Sequence, residues 1–364
     1  MSKLRLGVIG AGWWTIASHL PLLAEHRDVV EFVAVSRNGA DLLEKIRSDW
    51  GFAISSEDYR DVVAAGIDLC VVASPAALHH EHAKAALESG AHVLLEKPVA
   101  ILPDDAWDLV RTAERMSRHL VIGFGWNYHP LARSAKRLID EGIGEIEFVS
   151  LRMSSPVREL LLGQGFLLQP EAVVVPDAGT WSDPALSGGG FGQGQLSHAL
   201  GLSLWLSDLR GEEVFALMTS PAEARVELYD AMTVRFGNGA IGTIAGGAAH
   251  LTRDDNRHEM DVYIIGAGGQ LHVDFGRSYL RCSRATEDGE WREAAVDETA
   301  PREGEVRTPL AVLIDLALGR DVVNCSSGEL GARTVEILEA AYRSADSGLL
   351  AGVRLPSSTN GGRE

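Results

Sequence analysis

The chain has 364 residues, with 33 Lys and Arg against 51 Asp and Glu, a formal net charge of -18. That length admits two domains and a large core, and the acidic balance argues against a general nucleic-acid or anionic-membrane surface. Three scattered cysteines, Cys70, Cys282 and Cys325, are too few for a disulfide framework, no apolar run is long enough to span a bilayer, and no signal peptide precedes the first strand, so the cytoplasm is the expected compartment.

Leu4–Ile9 reads as an apolar strand, followed by the turn Gly10-Ala11-Gly12 and a helix over 15–25. A strand over 31–35 and a helix over Ala40–Trp50 come next, and Ser56-Glu57-Asp58 suits the N-cap of a short helix. Residues 69–73 are continuously apolar, as expected of a parallel strand buried on both faces. Pro75 opens a loop into a helix that runs through Glu88 and stops at Gly90. His92–Leu95 is the next strand, 103–117 the next helix, and a strand over 120–124 closes the series. This alternation predicts a doubly wound parallel α/β domain over residues 1–125.

Beyond Phe124 the pattern changes. A helix over 130–141 ends at Gly142 and Gly144, and a strand over 146–153 opens a strand-rich half. Further strands are predicted over 214–218, 232–236, 240–246, 260–265, 270–274 and 279–283. Asn238-Gly239 between two of them is a hairpin signal, so the second domain, residues 126–356, should carry an antiparallel sheet. Helices over 309–318 and Gly328–Ser347 complete it, and the tail 357–364 is expected to be disordered.

Gly10-Ala11-Gly12-Trp13-Trp14-Thr15 matches the G-x-G-x-x-G fingerprint in two of its three glycines. The first glycine permits the tight turn, and the second lets backbone N–H groups approach a pyrophosphate at a helix N-terminus. Thr15 stands at the third, which predicts slightly looser helix–strand packing. The fingerprint lies between a first strand and a helix, the context a dinucleotide site requires, and Trp13, Trp14 and Thr15 would border it. At the end of the second strand, where NAD-selective sites carry an acid for the ribose, the chain has Ser36-Arg37. A hydroxyl and a guanidinium suit a 2′-phosphate, and Arg37 also suits stacking on adenine. NADP(H) is therefore favoured, with NAD(H) left open.

Glu96-Lys97-Pro98 follows the strand His92–Leu95, which puts Lys97 at the carboxyl edge of a parallel sheet, where such folds bind ligands. A desolvated ammonium there loses basicity and can exchange a proton near neutral pH. Pro98 suits a tight turn, with a cis bond as one option, that fixes the lysine. The partner is His198, in a segment running from Ser187-Gly188-Gly189-Gly190 to Gln195-Leu196-Ser197-His198. Three glycines allow close backbone approach ahead of a helix beginning near Gln193, whose spacing puts Gly194, Gln195 and His198 on neighbouring faces. His79, His80 and His82 suggest a metal cluster, but their side chains diverge along a helix, and no metal is expected. Trp126 and Asn127 suit a sugar, the ring supplying apolar area and the amide directional bonds; interdomain packing accounts for them equally. Trp181, just before the glycine run, carries the same two readings.

Taken together, the chain resembles the glucose–fructose oxidoreductase/inositol dehydrogenase (Gfo/Idh/MocA) family. The resemblance runs from Gly7-Val8-Ile9-Gly10-Ala11-Gly12, through Ser74-Pro75 with His79 and Glu96-Lys97-Pro98, to Trp181, Gly188-Gly189-Gly190 and His198, and on to Ala341-Tyr342-Arg343-Ser344-Ala345 with Gly348. It implies a Rossmann domain joined to an α/β domain with a large open sheet, and nicotinamide-dependent oxidation or reduction of sugars and polyols. Lys97 and His198 would take the catalytic positions. Ser74, Pro75, His79, Glu96 and Lys97 would flank the cofactor, with His79 at its nicotinamide end. Trp126, Asn127, Trp181, Gln195 and His198 would face the substrate. The open sheet would join homodimers or homotetramers. One departure stands out: the family often has an aspartate four residues before the histidine, and here that residue is Gly194. Two other readings follow, an NAD-dependent enzyme that cleaves a glycosidic bond and a non-catalytic nucleotide and sugar sensor.

Overall fold

Six short segments, all but the third rich in Val, Ile and Leu, pair side by side, all parallel: β1 (Leu4–Ile9), β2 (Val30–Ser36), β3 (Ile54–Ser56), β4 (Leu69–Val72), β5 (His92–Leu95) and β6 (Leu120–Ile122), in the order β3-β2-β1-β4-β5-β6. The structure is a computed structural model and describes residues 2–164, 174–221, 223–252, 257–285, 291–297 and 308–354. The strand order reverses between β1 and β4, so the chain leaves these two strands in opposite directions and opens a crevice at their carboxyl ends. Strand β3, a three-residue edge strand, was not expected. The short helix Tyr59–Ala64 was, and Asp58 caps it by accepting the N–H of Arg60.

One face of this sheet is completed from a distant part of the sequence. Leu310, Leu313 and Ile314 of the helix Pro309–Ala317 are buried in the same cluster as Leu6, Val8, Val71, Leu94 and Val121. A parallel sheet needs both faces covered, and each of these three side chains contributes roughly 1.5–3 kcal/mol by burial. The sequence expectation had placed this helix with residues 126–356; it packs instead on the first sheet. Periodicity along a chain marks a helix but not the sheet it will cover.

The second sheet has nine strands: β7 (Ile146–Ser155), β8 (Gly211–Thr219), β9 (Tyr229–Phe236), β10 (Ile241–Ala248), β11 (Glu259–Gly266), β12 (Gly269–Asp274), β13 (Tyr279–Ala285), β14 (Trp291–Asp297) and β15 (Ala351–Gly352). Their order is β14-β13-β12-β11-β7-β10-β9-β8-β15, and only β7 and β10 pair in parallel. Gly239, at φ +89°, turns the predicted hairpin between β9 and β10. Strict alternation of exposed and buried residues in β9 gives this sheet one packed face and one open face. The helices Ser197–Ser207 and Gly328–Ser347 pack against its inner side. The first of these is apolar around almost its whole circumference, as a fully enclosed helix should be. Strands β14 and β15 had no counterpart among the predicted elements. The expected disordered tail, 357–364, lies outside the described residues. Among the described residues no helix is long and apolar enough to cross a membrane.

Candidate active site

The crevice begins where β1 ends. Gly10 sits at φ +88°, and a Cβ there would come within 2.4 Å of the Ser74 nitrogen, so no other residue fits this turn. The N–H groups of Gly10 and Ala11 both donate to Ser36 O, at 3.0 and 3.1 Å. A Cβ on Gly12 would meet nothing within 4 Å; the turn opens onto free space there. Thr15 does not loosen the packing as its replacement of a glycine suggested. Its buried Oγ1 donates to Gly10 O at 2.9 Å and ties the helix back to the turn. The helix starts with a π turn, Thr15–His19, and continues as Leu20–Ala24. Trp13 and Trp14 lie beside it with rings 5.8 Å apart, and Trp14 is 47% exposed. Arg37 runs along the turn, Nη1 donating to Ala11 O at 3.2 Å and Nε to Asn38 O at 2.9 Å. Ser36 is buried.

Lys97 stands two residues beyond β5, held through its neighbours. The buried Glu96 accepts from Trp14 Nε1 at 2.9 Å and from His19 Nε2 at 2.8 Å. Burial raises the Glu96 pKa, but the His19 and Trp14 bonds and the Lys97 charge outweigh it and hold the carboxyl below its usual range. Room for it comes from Gly123, where a Cβ would lie 2.9 Å from Glu96 Oε2. The Lys97–Pro98 bond is cis. The Lys97 side chain crosses the crevice, and Nζ donates to Gly194 O at 2.5 Å. Burial lowers the pKa of Lys97, against the pull of Glu96.

His198 is brought in by the second half of the chain. The Gly190 N–H bonds both oxygens of Glu227 at 2.8 Å, the Gly192 N–H bonds Oε1 at 3.0 Å, and Tyr342 OH donates to Oε1 at 2.6 Å. Beyond this anchor the chain makes a π turn, Gly192–Leu196, and enters the helix Ser197–Ser207 near the predicted start. Lys97 therefore grips the turn that carries His198 four residues on. His198 Nδ1 is buried with no partner among the described residues. Burial, with the charges of Lys97 and His258, holds the imidazole well below its ordinary pKa, so it is neutral at neutral pH. The Trp181 ring lies 3.7 Å from where a Cβ on Gly194 would stand, and Gln195 is buried.

Beneath the glycine run, Asp230 is 4% exposed and neither of its carboxyl oxygens has a partner among the described residues. Burial and the neighbouring Glu227 push its pKa up to about 8. Glu227 is raised as well, by burial, but its N–H and O–H donors favour the charged form. Of the two carboxyls, Asp230 is therefore the one that keeps its proton at neutral pH. With the folded pKa above the unfolded value of 3.8, the stabilising effect is full below pH 3.8 and is lost as pH rises through about 8. Asp230→Asn is expected to raise stability by about 2 kcal/mol or more near pH 9 and to have little effect near pH 4, as read from urea midpoints. An equal shift at both pH values would contradict the assignment.

Two sequence expectations are corrected. Asn127 does not present its amide to a substrate. It is fully buried, and Nδ2 donates to Cys325 O at 2.8 Å, tying the first turn after β6 to the loop before Gly328. His79 does not line the nicotinamide end. Its ring is buried between Pro98 O at 2.6 Å and Ser74 O at 2.7 Å, where it braces the lysine loop against the strand β4 exit. His80 turns to Asp108 and His82 to Ser74 Oγ, and among the described residues no cluster of His, Cys, Asp or Glu is arranged to hold a metal. Sequence reasoning also missed Glu227, Tyr342 as its partner, and His258. The only signal for His258 is a polar pair, Arg257-His258, ahead of an apolar strand.

A switch-point crevice and a glycine turn opening on free space are the features of an α/β dinucleotide-binding fold, and Lys97 reaches from its edge to the turn that carries His198. Two family models match this chain: the oxidoreductase family, NAD-binding Rossmann fold, over residues 4–124, and the GFO/IDH/MocA C-terminal domain over 132–272. The chain belongs to the Gfo/Idh/MocA oxidoreductase family. The NADP-dependent D-xylose 1-dehydrogenase of Haloarcula marismortui is 30% identical over 52% of this chain and 50% of its own length. The 1-carboxy-3-chloro-3,4-dihydroxycyclohexa-1,5-diene dehydrogenase of Comamonas testosteroni is 27% identical over 69% of this chain and 60% of its own. The chain thus spans between half and three fifths of these relatives. A levoglucosan dehydrogenase in complex with NADH superimposes with a TM-score of 0.76 over 97% of this chain and 100% of that one, at 19% identity, a likeness of fold.

Proposed function

We propose that the chain is an NAD(P)-dependent oxidoreductase that moves a hydride between nicotinamide and a carbinol or carbonyl carbon of a sugar, polyol or glycosylated compound. The observation that carries this reading is the reach of Lys97 Nζ from the edge of one sheet to Gly194 O, on the turn that carries His198. The residues fit a dinucleotide: the space over Gly12 suits a pyrophosphate, and Arg37 lies where the adenosine end would rest. When bound, the nicotinamide supplies the hydride chemistry. Lys97, its basicity lowered by burial, exchanges the hydroxyl proton. Neutral His198 accepts or donates a hydrogen bond to hold that hydroxyl in line. Trp181, beside Gly194, supplies an apolar wall for a sugar ring.

NADP(H) is the favoured cofactor, because Ser36-Arg37 offers a guanidinium and no carboxylate at the end of β2. Arg37→Ala is expected to weaken NADPH binding by about ten- to a hundredfold, the scale of a charge-assisted bond, and NADH binding far less. Equal losses, read by nucleotide fluorescence titration, would reverse the preference. The reading as a whole is tested by following nicotinamide absorbance with D-xylose, levoglucosan and myo-inositol; neither binding nor turnover across such a panel would sink it. A homo-oligomer fits the open face of the second sheet, where Phe215, Leu217, Tyr229 and Ile241 are exposed. The cytoplasm suits three unpaired, buried cysteines.

A further inference from the structure

Position 194 is a glycine, so the lysine and histidine lack the acid their surroundings would otherwise include. The second sheet carries another group that can recognise a hydroxyl. His258 lies just ahead of β11, beside the end of β7. Its Nδ1 is 2.9 Å from Ser155 Oγ, and Ser155 is itself fully buried. That bond fixes the ring about its own axis and leaves Nε2 as its remaining hydrogen-bonding atom. The ring stands edge-on to Trp126, with centroids 6.3 Å apart, and Trp126 packs in turn against Phe275 at 5.3 Å. Trp126 follows β6, the strand beside β5, and Lys97 follows β5. His258 is therefore set from the second sheet against the sheet edge that carries the lysine. The Lys97 charge acts on both His198 and His258, and His258 acts on His198, as expected of three neighbouring groups. His258 is exposed as a residue, but the burial it does have, together with the Lys97 charge, lowers its pKa and favours the neutral ring, able to accept or donate through Nε2.

We propose that His258 is a substrate-binding residue, whose Nε2 hydrogen-bonds a hydroxyl of the sugar or polyol and supplies the polar recognition that Gly194 cannot. This rests on the oxidoreductase reading above for the identity of the substrate class. A purely structural role, packing against Trp126, is the competing account. His258→Phe keeps the ring and loses both nitrogens, whereas His258→Gln keeps an amide near the place of Nε2.

The experiment compares these two variants with the wild type on whichever of D-xylose, levoglucosan and myo-inositol is turned over, with NADPH dissociation constants measured alongside. His258→Phe is expected to raise KM about tenfold or more, the scale of one lost hydrogen bond, with NADPH affinity unchanged. His258→Gln is expected to recover most of that loss. An unchanged KM in His258→Phe, or a matching loss of NADPH affinity, overturns the proposal. If the wild type turns over none of the three, the ring-nitrogen resonances of His258 in the NADPH complex decide. A shift of Nε2 on adding the same compounds supports the subsite while the catalytic reading fails; no shift overturns the subsite as well.

Discussion

Lys97→Ala should cut turnover by at least about a hundredfold, the low end for removing a general acid–base group, while NADPH still binds. Beside the glycine turn, Trp14 bonds Glu96 and Arg37 bonds Ala11 O, so neither loses a partner with the ammonium. What disappears is the one ammonium that spans the crevice to Gly194 O. In the oxidation direction the lysine must start neutral to take up the hydroxyl proton. The rate should therefore rise with pH through the lysine's pKa, which burial places below the ordinary 10.5. Lys97→Arg should fare no better than alanine, because a guanidinium does not release its proton in this range. Near-normal turnover in either variant, with the alkaline rise intact, would remove Lys97 from the chemistry.

Gly190→Ala should be the most damaging added methyl group among the described glycines. A Cβ at this position would stand 1.9 Å from Glu227 O, a backbone atom that cannot swing aside. The same residue supplies the N–H that bonds both oxygens of Glu227. Either the strand entry at Glu227 moves or the glycine run does, and the run carries the start of the His198 helix. The expected loss is about 3 kcal/mol or more of stability, with turnover falling further than the unfolded fraction accounts for. Gly12→Ala, where a Cβ meets open space, is the matched comparison and should leave stability near wild type. Equal unfolding midpoints for Gly190→Ala and wild type would show that the anchor at Glu227 is not what sets the run.

Much of the first sheet was legible because a parallel strand buried on both faces is continuously apolar and has a turn signal at each end. Leu4–Ile9 and His92–Leu95 were read to the residue for that reason, and the helix Ala40–Trp50 through the glycines that flank it. The edge strand β3 escaped because three residues ending in Ser55-Ser56 have no apolar run to reveal them. In the second sheet, alternation located the interior strands, but the parallel pairing of β7 with β10 depends on a partner nearly a hundred residues away. At the site, Lys97 and His198 announced themselves through neighbouring proline and glycines, residues whose backbone demands are local. Asn127 and His79 looked like ligands because polar side chains in a binding fold invite that reading. Only the fold reveals that carbonyls of Cys325, Pro98 and Ser74 already occupy them. Glu227 and His258 carry no pattern of their own; their meaning comes from what the glycine run and Trp126 bring beside them.

The helix Pro309–Ala317 gives the molecule an order of assembly. Until the ribosome has delivered residue 317, the flank of the nucleotide-holding half formed by β5 and β6, with Leu94 and Val121, lacks its cover. A segment that follows the second sheet in sequence thus closes the first. Shortening this protein from its carboxyl end would strip a wall from the cofactor half rather than trim a spare appendage.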